Sequence, residues 1–139
     1  MKGIVGIALG VAFAVGVACG GGPQEIKYPD PRENEITTLW TQIRGWRADA
    51  HMPLDPSLLA VPRNVPEAKR VCPEHHQVPT TCNEVCGLAD DICDNAERIC
   101  QIADELGKGD EYAQDKCKSA KASCREAQQK CCECSGATP

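Results

Sequence analysis

Aromatic residues are scarce, with two Trp, two Tyr and one Phe in 139 residues. Large rings usually dominate small cores, so what packs inside this chain must be aliphatic side chains, alanine and cysteine. A basic excess is also missing. Fifteen Lys and Arg stand against 20 Asp and Glu, which excludes the basic face of a nucleic-acid binder. No alternating strand pattern occurs and no Gly-rich phosphate loop follows a strand. The carboxylates fall along helix faces rather than converging in a cleft, so no enzyme and no bound cofactor is expected. Neither a thioredoxin-type redox centre nor a c-type haem attachment is expected. Cys72, His75, His76 and Cys82 gather soft and borderline metal ligands, but no second pair completes a zinc site. The plainer reading of that stretch is a polar loop held by a disulfide. The longest uncharged apolar run, Ile4 to Val17, is too short to span a bilayer.

Cysteine is what the chain has in excess, with eleven residues, a count that reads as a disulfide scaffold. Cys86, Cys93 and Cys100 stand seven residues apart, and so do Cys117, Cys124 and Cys131. Taken in opposite order, the two triplets share a midpoint between Lys108 and Gly109. That is the pattern of an antiparallel helical hairpin with its cysteines along the seam. The pairing Cys86–Cys131, Cys93–Cys124 and Cys100–Cys117 follows, and Cys82–Cys134 fits next. Three residues after each triplet cysteine, or four before the first, stand Cys82, Ala89, Ala96 and Ala103 on the first helix, and Ala113, Ala120, Ala127 and Cys134 on the second. Alanine lets two helices approach to the short separation a disulfide requires. Seven residues are nearly two helical turns, so successive rungs stay on one face.

The hairpin spans 82–132. Thr81-Cys82-Asn83-Glu84 has the form of a capping box at its start. Gly107 suits a left-handed C-terminal cap and Asp110 the N-cap of the return helix. The first helix is acidic (Asp90, Asp91, Asp94, Glu97) and the second leans basic. Glu97 and Lys121 are placed to face each other across the seam. Asp90, Asp91 and Asp94 read as a solvated face before they read as a calcium or basic-partner site.

Val85, Ile92, Ile99 and Leu106, with Leu88 and Ile102, form an apolar stripe that needs a cover. Glu33 to Ala50 supplies one. Ile36, Leu39, Trp40, Ile43, Arg47 and Ala50 repeat at helical spacing, with Trp46 beside them, and Pro53 stops the helix. Trp40 and Trp46 are expected in the core rather than on a ligand surface. Between this helix and the hairpin, Pro56-Ser57-Leu58-Leu59 and Pro66 to Arg70 read as short helical turns. Leu54, Leu58 and Leu59 are expected to cover apolar surface. The fold class is therefore all-α, a disulfide-laddered antiparallel hairpin packed by an N-terminal amphipathic helix, three helices in all.

Met1-Lys2, the apolar run and then Gly16-Val17-Ala18-Cys19 have the order of an export signal. The last four residues resemble the lipobox of bacterial lipoproteins. That resemblance implies cleavage before Cys19, lipid on Cys19, and anchoring to a membrane through several acyl chains. Gly20 in place of an aspartate implies the outer membrane. The division is then a signal peptide at 1–18, a lipidated N-terminus and tether at 19–31, a helical domain at 32–134 and a disordered tail at 135–139. Setting Cys19 aside leaves ten cysteines, an even number, and Cys72–Cys132 is the pair that remains.

The chain looks like one of the small cysteine-rich lipoproteins of bacteria. The expectation is an extracytoplasmic, lipid-anchored envelope or surface module, structural or partner-binding and not enzymatic, with an unidentified protein partner. The alternative is Cu(I) binding by reduced cysteines along the seam, as in bacterial copper-storage bundles.

Overall fold

A computed structural model describes residues 30–73 and 76–136. The signal segment, Cys19, most of the tether, His75 and the last three residues lie outside them. Among the described residues the chain is all-α, with four helices: α1 (Pro31–Asp49), α2 (Val65–Lys69), α3 (Asn83–Leu106) and α4 (Glu111–Cys134). None is long and apolar enough to cross a membrane.

Helix α1 begins inside the stretch assigned to the tether. Asp30 is its N-cap, its carboxylate accepting from Arg32 N at 2.9 Å, and Pro31 takes the first turn, where a missing N–H costs nothing. The helix closes in a Schellman arrangement before Pro53 is reached. His51 N donates to Ala48 O at 3.0 Å and Met52 N to Arg47 O at 2.8 Å. His51 takes the left-handed position at φ 57°, where glycine is usual. Ile36, Trp40, Ile43, Arg47 and Ala50 are buried, while Leu39 and Trp46 pack on the core at its edge. Trp40 is thus a core residue, and Lys116 Nζ sits 5.1 Å from its ring centroid.

Helices α3 and α4 are the long pair, each 24 residues, or about 36 Å. They run antiparallel, with Gly107 to Asp110 between them. Gly107 adopts φ 91°, ψ 169°, a conformation essentially reserved for glycine but not the left-handed helical one anticipated. Gln114 Nε2 reaches back from α4 to Ala103 O at 2.9 Å and Gly107 O at 3.3 Å, satisfying carbonyls at the end of α3. Asp110 caps α4, accepting from Ala113 N at 2.9 Å.

The start of α3 departs from the capping box. Thr80–Cys82 forms a 3-10 turn, Cys82 becomes the N-cap, and no side chain caps it. Cys82 is tied to Cys134, which fixes that turn, and Thr81 stands one residue too early to cap α3.

The connector differs as well. Pro56 to Leu59 forms no helix, and Leu54, Leu58 and Leu59 are exposed, Leu59 almost completely. The segment Pro66 to Arg70 does coil, as part of α2, which Asn64 caps by accepting from Glu67 N at 2.8 Å. Helix α2 touches both α3 and α4, as α1 does. The long helices therefore have two covers rather than one. This position of α2 also redirects the charges. Lys69 Nζ lies 3.2 Å from Asp94 and 3.6 Å from Glu97, while Lys121 Nζ donates to Arg63 O at 3.0 Å. The Glu97–Lys121 pair does not form.

Candidate functional site

The sulfur seam lies between α3 and α4. Five disulfides join Cys72 to Cys132, Cys82 to Cys134, Cys86 to Cys131, Cys93 to Cys124 and Cys100 to Cys117. The three rungs between the long helices have Cα–Cα separations of 4.7, 4.6 and 4.7 Å, and the two outer bridges 5.6 and 5.9 Å. All lie within disulfide range, the rungs at its short end. The seam alanines explain that approach. Ala89, Ala96, Ala103, Ala113, Ala120 and Ala127 are all buried, and none holds the helices apart. Gln128 Nε2 donates to Asp90 Oδ1 at 3.1 Å and lies 3.8 Å from Cys93 Sγ, closing the seam with a polar contact.

These bridges take ten of the eleven cysteines; the eleventh, Cys19, lies outside the described residues. With their sulfurs in bridges, the seam cysteines present no thiolate to a soft metal in this structure. Cys72 and Cys82 are likewise bridged to different partners, His76 is half-buried, and His75 is outside the described residues. Among the described residues no three His, Cys, Asp or Glu side chains are placed to hold a metal ion. Cys131 and Cys134 stand at C-x-x-C spacing. They bridge to Cys86 and Cys82 and not to each other.

A second feature is an ion pair buried on its arginine side. Arg47 is fully buried on the apolar face of α1. Its Nη2 lies 2.7 Å from Glu126 Oε2 and its Nε donates to Pro53 O at 2.7 Å. The other carboxylate oxygen of Glu126 accepts from Ser57 N at 2.8 Å. One carboxylate on α4 therefore holds α1 and the connector together. Arg47 Nη1 has no partner. The signal in the sequence was an arginine at an apolar position; nothing there pointed to Glu126.

The third feature is a groove of about 560 Å³ where three chain segments end. The close of α1 contributes Asp49 and His51, the start of α3 contributes Thr81 and Glu84, and the last turns of α4 contribute Lys130, Glu133 and Cys134. Three carboxylates face one lysine there. The groove borders the Cys82–Cys134 bridge, which is buried at Cys82 and exposed at Cys134.

No family model, no curated protein and no solved structure matches this chain.

Proposed function

We propose that the protein is an exported envelope or surface module, anchored by lipid at Cys19 to the bacterial outer membrane, with a structural or partner-binding role and no catalytic one. Its working form is a rigid helical hairpin laced by disulfides, with the N-terminal helix as a cover and a protein partner docking on the outside. The observation that carries this reading is the complete use of Cys72 to Cys134 in bridges. Such a set of disulfides belongs to an oxidising, extracytoplasmic compartment. The lipobox-like Gly16 to Cys19 supplies the address, and Gly20 to Pro29 supplies a Gly- and Pro-bearing tether. Rigidity is the property that the seam confers: rungs along most of the length of α3 and α4 leave little freedom for the two to separate.

The test is fractionation of the expressed protein and its Cys19→Ser variant with a labelled fatty acid in the medium. The expected result is label on the wild type, which stays with washed membranes, and neither label nor retention for the variant. A variant that remains in detergent-free washed membranes removes Cys19 as the anchor.

A further inference from the structure

We propose that the Cys82–Cys134 bridge is an exchange site for thiols carrying a positive charge, with Cys134 Sγ the point of attack and Cys82 the leaving group. Of the bridged cysteines, Cys134 alone is exposed; six are buried and Cys72, Cys100 and Cys117 are intermediate. Exchange requires an attacking thiolate to reach one sulfur in line with the bond. The groove gives that access beside Cys134. Rungs such as Cys93–Cys124, with both residues at 0 % exposure, give none.

The leaving side is as specific as the attacking side. A thiolate leaves faster when its charge is stabilised. Cys82 is the N-cap of α3, where the helix macrodipole favours negative charge and no side chain already caps the end. Thr81 Oγ1 lies 4.0 Å from Cys82 Sγ, within reach of a hydroxyl-to-sulfur hydrogen bond. Cys134 is at the opposite kind of terminus, the last residue of α4, where the macrodipole disfavours a thiolate. The polarity of the bridge therefore makes Cys82 the thiolate that departs. In the step, the incoming thiolate forms a bond to Cys134 Sγ, the Cys82–Cys134 bond breaks, and its electron pair leaves on Cys82 Sγ, which takes a proton from water. No electrons are gained or lost overall.

Asp49, Glu84 and Glu133 line the approach, with Lys130 set against them. An ammonium beside the attacking sulfur is drawn into that groove and a carboxylate is repelled. Lipid at Cys19 is not needed for this exchange, because every residue involved lies between Asp49 and Cys134, at the ends of α1, α3 and α4.

The experiment treats the purified full chain with cysteamine or with mercaptoacetate at low salt, with acid quenching after short intervals, N-ethylmaleimide labelling in denaturant and peptide mapping. Each rate is divided by that thiol's rate with a neutral small disulfide. The expected first product has cysteamine on Cys134 and maleimide on Cys82, formed roughly three- to tenfold faster than the mercaptoacetate product. Thr81→Val, at an exposed position, slows the step about threefold without moving the melting temperature. A first adduct on Cys72, Cys100, Cys117 or Cys82 overturns the assignment. Equal normalised rates for the two thiols overturn the preference for positive charge.

Discussion

Replacing Glu126 by alanine strands a charge in the interior. Arg47 has no exposure and keeps only Pro53 O as a partner once the carboxylate is gone, since its Nη1 already lacks one. Breaking a fully buried pair from one side costs about 3–5 kcal/mol. Glu126 is 27 % exposed, so water enters the space it vacates and lowers that cost to about 2–3 kcal/mol. The loss of the Ser57 N–H acceptor is minor, because Ser57 is exposed and can turn to water. For a domain of this size the expected fall in melting temperature is roughly 10–20 °C. Arg47→Met behaves differently. It removes the charge and keeps most of the volume, so its cost is about 1 kcal/mol or less. The assay is urea and thermal unfolding with disulfides intact. If Arg47→Met costs as much as Glu126→Ala, or Glu126→Ala costs less than about 0.5 kcal/mol, the ion pair does not hold α1 to α4 as described.

Other outcomes follow from single positions. Gly107→Ala costs about 1–3 kcal/mol from backbone strain at φ 91° alone, because no atom lies near its Cβ; denaturant midpoints check this. His51→Gly raises stability by about 0.5–1 kcal/mol, since glycine accepts the left-handed C-terminal position that histidine occupies at φ 57°. Replacing both Cys93 and Cys124 by alanine costs about 1–2 kcal/mol, at the low end of the disulfide range, because rungs on either side hold the same loop closed. Unchanged protease resistance and melting in that variant count against a stabilising ladder. The Asp30 carboxyl is held down at about 2, first by the Arg32 side-chain hydrogen bond and then by the Arg32 backbone N–H. Its contribution to α1 is therefore present above the ordinary aspartate range and is lost as pH falls through about 2, which a carbon-detected NMR titration of Asp30 reads directly.

The seam was legible because a disulfide between helices demands periodicity. Seven-residue spacing keeps rungs on one face, and alanine at the intervening positions removes the bulk that would forbid them. Ile92, Ile99 and Ile102 were legible as a face needing cover for the same reason, and all are fully buried. What failed depends on contacts between distant segments. Helix α2 is five residues long, too short for a periodic signal to show which helices it touches, yet its Lys69 engages Glu97 while Arg63, just before it, engages Lys121. Thr81 and Glu84 have the letters of a capping box, but the Cys82 bridge and the 3-10 turn set that terminus. Leu54, Leu58 and Leu59 have core character, while the four prolines Pro53, Pro56, Pro62 and Pro66 limit how that stretch can coil back. Glu126 is one acid among twenty, and only the fold brings it to Arg47.

Cys72 to Cys134 are all paired in the folded protein. Intact mass after alkylation without reduction, on a sample also assayed for copper and zinc, tests it most directly. The expected result is no alkyl group on any of these ten cysteines and no stoichiometric metal. Six or more alkylated thiols together with bound copper contradict it, and would make the same seam a site of thiolate ligation.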